Sequence, residues 1–261
     1  MALAFALAGA PVSASRAPDV GAVKEIAAPA SSRGGRFVLA WAEPKKARNR
    51  KWAAILLESG ILQENVASLN AKFALPFDIP VAVEDCGEAN AYYVSEERRI
   101  RFCYELLGDS TRRIRSHVSP QREAPTIALG DMLHTLYHEV GHALIDALNL
   151  PTVGREEDAV DQFATLVLLA SGAEGAVAAQ VAALEYKLGA RESRPDFADE
   201  HSTDRQRAYE ILCLVYGKDA RRFASLVGRG SLPQARAETC GEEYRHLSGA
   251  WDRLLAPFLR D

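Results

Sequence analysis

The sequence predicts an α+β fold, with a small N-terminal β-sheet half followed by a mainly helical C-terminal half. Two patterns and one bulk property predict it. Runs rich in β-branched and aromatic residues, "RFVLAWAE", "DIPVAVEDC" and "NAYYVSEERRIRFC", all fall before residue 104. From Ile127 onward, apolar residues recur at helical spacing in five successive stretches. The chain has 261 residues, 48% hydrophobic and 25% charged, enough to bury one sizeable core.

In chain order, "MALAFALAGAPVSA" carries an apolar run too short to span a bilayer, then a small-x-small pattern that fits cleavage after Ala14. Residues 1–14 therefore read as a signal peptide and the protein as exported, periplasmic or secreted, although no Lys or Arg precedes the run. Residues 15–34, rich in Ala, Pro, Ser and Gly, read as a flexible leader, and 35–261 as a single domain. "RFVLAWAE" opens that domain as a strand. The segment from Ala47 to Phe73 follows as helix, with Gly60 as its break. "DIPVAVEDC" is a strand, and "NAYYVSEERRIRFC" reads as a hairpin around the polar "SEER". The polar stretch 108–124 reads as a loop. Five helical stretches complete the domain: "LGDMLHTLYHEVGHALIDALNL", "EEDAVDQFATLVLLAS", "AEGAVAAQVAALEYKL", "STDRQRAYEILCLVYG" and the region around "EEYRHLSGAWDRLLAPF".

A net charge of −4 gives no general attraction to nucleic acid, and the basic stretches "EPKKARNRKW" and "RRIR" read as solvated faces. After signal cleavage, no segment is long and apolar enough to span a membrane. Cys86, Cys103, Cys213 and Cys240 form no CxxC pair, which disfavours a thiolate metal site. In an exported chain their even count suggests disulfides. Sequence neighbourhood favours Cys86 with Cys103 and Cys213 with Cys240, among three connectivities.

The informative stretch is "YHEVGHALIDALNLPTVGREEDAVDQFATL", Tyr137 to Leu166. Leu129, Met132 or Leu133, Leu136, Val140, Leu144 and Leu148 would face the core, and His134, His138 and His142 lie on a neighbouring stripe. Histidines at i and i+4 project the same way, so His138 and His142 can reach one zinc ion, with Glu139 turned to take a proton from a bound water. A chance H-E-x-x-H in such a chain has a probability of about one in a hundred. A catalytic zinc needs a third protein ligand and an open position for water. Asn149, Pro151 and Gly154 permit a reversal, after which Glu156, Glu157, Asp158 and Asp161 return on the next helix; acids in a first turn also suit the helix dipole.

The run "HEVGH…EEDAVDQFA" resembles the glutamate-zincin branch of metallopeptidases, in which a second helix carries a glutamate ligand and, four residues on, an aspartate. Matched residue by residue, the resemblance puts Glu157 on the ligand and Asp161 on the aspartate, which would hold the far nitrogen of His138. Glu156 and Asp158 are the weaker choices, and Val160 stands where many relatives carry alanine. More widely, the chain from about Arg36 to the C-terminus resembles an uncharacterised bacterial family of metallopeptidases, through "GREEDAVDQFAT", "DEHSTDRQRAYEILCLVYG" and "CGEEY". That resemblance implies a zincin-like fold and dependence on one Zn2+ ion. In "DEHSTDRQR", His201 and Arg207 reproduce the spacing of a histidine and arginine in membrane-embedded CAAX-processing proteases, though Ser202 replaces the usual proline. The pair would stabilise an oxyanion. The alternative sets His201 before a helix capped by Ser202, with Arg207 paired to Asp161 or Glu157.

These readings predict a zinc metallopeptidase acting on a peptide or protein: His138, His142 and Glu157 as ligands, Glu139 as general base, His201 and Arg207 as catalytic partners, Asp161 behind His138. A zinc amidase and a catalytically silent metal-containing sensor are the alternatives. His134 reads as a residue behind the ligands or at the surface, His117 and His246 as surface residues. Tyr92 and Tyr93 lie where zincins present an edge strand to extended substrates, or serve as core tyrosines of the hairpin.

Overall fold

The computed structural model describes residues 34–192 and 194–260. The expected signal peptide, and the leader up to residue 33, lie outside them. The α+β expectation holds, with a four-stranded sheet first and helices after it.

The sheet contains β1 (Phe37–Trp41), β2 (Ile79–Glu84), β3 (Ala91–Val94) and β4 (Arg99–Cys103) in the order β1-β2-β4-β3. The β1–β2 and β2–β4 pairs are parallel and β3–β4 is antiparallel, so β3 is an edge strand. Parallel neighbours need a crossover, supplied here by α1 (Ala47–Ser59) and α2 (Ile61–Lys72). Gly60 separates these helices at φ 68°, a conformation glycine adopts without steric cost, and thus the apolar periodicity turns as expected. The hairpin turns at Ser95–Arg98, putting Tyr92 opposite Arg101.

Residues 108–124 are not a loop. Helix α3 spans Tyr104–Ile114, and two single 3-10 turns at Arg115–His117 and Gln121–Glu123 lead into α4 (Ala124–Leu148). The stretch looked polar because Ser110 and Thr111 occupy the buried face beside Tyr104, Leu107 and Ile114, while Asp109, Arg112 and Arg113 pair on the outer face. Small hydroxyl residues fill positions that a hydrophobicity pattern expects to be apolar.

Helix α4 ends at Asn149 in the left-handed region, φ 51°, whose N–H returns to Asp146 and Ile145 carbonyls. Met132, not Leu133, joins Leu136, Val140 and Leu144 in the core. Helices α5 (Glu156–Ala170), α6 (Ala173–Glu192), α7 (Asp204–Lys218), the short α8 (Ser225–Gly228) and α9 (Gln234–Leu255) complete the helical half. The cap of α7 is Thr203 with Gln206 in a capping box, one residue beyond the Ser202 considered from sequence. The sheet and helices share one continuous hydrophobic core.

Both favoured disulfides are present. Cys86–Cys103 ties the segment after β2 to the end of β4, and Cys213–Cys240 ties α7 to α9. Among the described residues, no helix is long and apolar enough to cross a membrane.

One close approach sets the site. A Cβ at Gly141 would lie 2.8 Å from Val160 Cγ1 and 3.3 Å from Phe163 Cδ1. The missing side chain lets α5 pack directly against α4 beside the two histidines.

Candidate metal centre

His138 and His142 stand one turn apart on α4, their ring centroids 5.0 Å apart and their Nε2 atoms 3.3 Å apart. Each Nδ1 meets a carboxylate: His138 meets Asp161 Oδ1 at 2.8 Å and His142 meets Glu156 Oε1 at 2.8 Å. A carboxylate at Nδ1 keeps the ring proton there and leaves the Nε2 lone pair facing the partner ring. Helix α5 runs back along α4, as the reversal after Asn149 predicts. It brings Glu157 Oε2 to 3.1 Å from His138 Nε2 and Oε1 to 3.3 Å from His142 Nε2.

This donor set fits a metal ion. Ligand atoms of His138, His142 and Glu157 lie within 4.8 Å of one another, the one such group among the described residues. Ligands at about 2.1 Å around a tetrahedral ion stand about 3.4 Å apart; the closest separations here are 3.1–3.3 Å. Glu157 Oε2 is buried, 3.1 Å from His138 Nε2 and 2.9 Å from His201 Nε2. The Glu157 carboxylate and the Nε2 atoms of His138 and His142 therefore face one shared space. Burial opposes charge on His138, but Asp161 and Glu157 outweigh it and raise its pKa to about 9. Burial likewise opposes ionisation of Glu157, while the imidazoles of His138, His142 and His201 hold it far below the usual carboxylate range. The pocket favours positive charge at its centre.

Asp161 is buried against the far nitrogen of His138. Arg207 closes on it through Nε at 2.6 Å and one terminal nitrogen at 2.7 Å. Of the two expectations for Arg207, action with His201 on an oxyanion or pairing with an acid of α5, the structure displays the pairing: its guanidinium is engaged by Asp161 and stacked over Tyr186, 4.2 Å from the ring centroid. The reason is burial, because a charge enclosed between α5, α6 and α7 takes the nearest carboxylate. His201, in the segment before α7, sits at the mouth. Its Nε2 is 2.9 Å from Glu157 Oε2 and its Nδ1 2.9 Å from Asp199, and its ring stacks at 14° to that of His138 with centroids 6.5 Å apart.

Glu139 is buried, and burial raises its pKa against the opposing pull of His138 and His142. The backbone N–H of Tyr93 on β3 donates to its carboxylate, while the Tyr93 hydroxyl donates to Asp146 on α4 at 2.6 Å. The edge strand is thus pinned along the helix that carries Glu139. His134 is no surface residue. It is buried against Thr165 and edge-on to Tyr186, and burial lowers its pKa to about 4. His117 and His246 are exposed, as expected.

A cavity of about 1100 Å3 opens over these groups, bordered by Tyr92 and Tyr93 on one side and by His201 on the other. Sequence reasoning missed its far end, at Asp131 and Glu185. The available signal was spacing, since Asp131, Thr135, His138 and His142 follow i, i+4, i+7 and i+11 along one face of α4.

A family model described as "Putative metallopeptidase" matches residues 41–255. The chain belongs to this metallopeptidase family. The match runs from the last residue of β1 through α9, so the whole candidate metal centre lies within the family's span. No curated protein and no solved structure matches the chain.

Proposed function

We propose that the protein is an exported zinc-dependent peptidase of the glutamate-zincin type, with residues 35–261 as one catalytic unit. The observation that carries this is the convergence of His138, His142 and Glu157 beside a buried Glu139 in one open cavity. His138, His142 and Glu157 would hold the ion. When bound, zinc lowers the pKa of a water and polarises a carbonyl. Two histidines with one carboxylate suit zinc, and the two disulfides are compatible with an oxidising compartment.

Glu139 accepts the proton of the attacking water and returns it to the leaving amine, a role for which a carboxylate pushed upward by burial is suited. His201, half-exposed across the mouth, donates a hydrogen bond to the carbonyl oxygen as charge develops on it. Asp161 and Glu156 hold the rings of His138 and His142 in orientation. Arg207 is a positioning residue acting through Asp161. The edge strand β3, which borders the cavity through Tyr92 and Tyr93, gives an extended peptide backbone a strand to pair with beside the Tyr93 N–H that Glu139 takes.

The test is cleavage of an unfolded protein by wild type and Glu139→Gln carrying equal zinc. Wild type should cleave and the variant should be slower by about 100-fold or more. Equal rates would remove Glu139 from the chemistry, and absence of cleavage by zinc-loaded wild type would contradict the peptidase reading.

A further inference from the structure

The cavity continues beyond the metal centre. Asp131 precedes His138 by seven residues on the same face of α4, about 10 Å along the helix axis. Around it stand Leu106 and Arg113 from α3, Glu185 and Tyr186 from α6, and Asp204 from α7. Leu106 and Tyr186 add apolar surface to the lining of the same cavity.

The far end has more acid than base. Arg113 lies 2.5 Å from Asp109, 3.4 Å from Glu192 and 3.5 Å from Glu185. Arg112 reaches the same Asp109 and Glu192, and Arg207 is engaged by Asp161. Among the described residues, no Lys or Arg forms an ion pair with Asp131 or Asp204, and Glu185 is buried with Ser110 donating to it at 2.9 Å. Burial pushes Glu185 to about 8 and Asp131 to about 7, against the opposing pull of Ser110 and Arg113. Carboxyls held together in this way gain by sharing a proton or by taking up a cation.

We propose that this far end receives the cationic side chain of a lysine or arginine in the peptide substrate, making the enzyme selective for basic residues beside the bond it cuts. The inference rests on the peptidase reading. It stands on the match between one cavity that holds both the metal centre and these carboxyls, with Leu106 and Tyr186 among its lining, and a side chain with an aliphatic stem and a charged head.

The test separates binding from cleavage. Two peptides identical except for lysine or norleucine at one position, with a glutamate version as the opposite-sign control, are titrated into zinc-loaded Glu139→Gln protein. The lysine peptide should bind about tenfold tighter than the norleucine peptide. In Glu139→Gln also carrying Asp131→Asn and Glu185→Gln, the ratio should fall to within about twofold while zinc content stays constant. Equal binding of lysine and norleucine peptides, no binding of either, tighter binding of the glutamate peptide, or a ratio unchanged by the two substitutions would overturn the inference. Wild type cleaving both peptides without preference would also overturn it, leaving the peptidase reading intact. Preferential binding with no cleavage by wild type would support the pocket and contradict the peptidase.

Discussion

Arg207 and Asp161 form a two-pronged ion pair, 2.6 and 2.7 Å long, on the far side of His138 from its metal-facing nitrogen. One carboxylate thus serves two masters: it holds the imidazole in one tautomer and neutralises a buried guanidinium. Burial resists the charge on Asp161, but Arg207 and His138 outweigh it and hold the carboxyl well below its usual range.

Arg207→Ala should therefore weaken zinc binding by about 10- to 100-fold, the usual effect of losing a group that orients a ligand. Arg207→Lys should recover part of it, because a lysine keeps the charge but not the two-pronged geometry. Zinc affinity measured by chelator competition checks both. Unchanged affinity in Arg207→Ala would contradict the positioning role.

Gly141→Ala should push α5 away from α4 through the Val160 contact, destabilising the protein by about 1–3 kcal/mol and lowering zinc affinity. Val160→Ala in the same chain should restore part of both, since it removes the methyl 2.8 Å from the new Cβ but leaves the Val160 Cβ at 2.9 Å. Urea unfolding with parallel metal analysis reads this out. A double variant no better than Gly141→Ala would disprove the contact as the cause.

How much of this could be read in advance follows from where each signal lives. His138, Glu139 and His142 are legible because one helix fixes their relative positions. Glu157 and Asp161 needed the reversal at Asn149 and the family resemblance, and Gly141 inside the motif supplied the close approach that sequence reading passed over. Arg207 was left between two partners because the choice depends on how α7 packs against α5, which no local period encodes. Helix α3 was hidden by Ser110 and Thr111 on its buried face, and with it the far end of the cavity.

The acid pair makes stability depend on pH. Glu185 and Asp131 titrate near 4.5 and 3.8 when unfolded, and burial raises them to about 8 and about 7 in the fold. Ser110, Arg113 and Arg207 pull the other way, and Asp109 adds to the rise. Between the unfolded and folded values the native state binds more protons, so stability falls as pH rises through that window. Urea midpoints measured from pH 5 to 9 should decline, and Glu185→Gln should flatten the decline. A slope identical in the variant would show that Glu185 is not its source.

Each disulfide should stabilise the fold by about 3 kcal/mol, given closed loops of 17 and 27 residues. Replacing Cys213 and Cys240 by serine should lower the unfolding midpoint accordingly, because the bridge fixes α9 on the helix that carries Arg207. An unchanged midpoint would contradict that contribution.

The most direct test of the central claim is metal content. Wild type and the variants His138→Ala, His142→Ala and Glu157→Ala are exchanged into buffer with a small excess of zinc, freed of unbound ion, and analysed for zinc per folded chain. The account predicts one zinc in wild type and its loss in all three variants, with folding of each verified by circular dichroism. Absence of zinc from folded wild type, or retention of zinc by any of the three variants, would contradict a metal centre built from these residues.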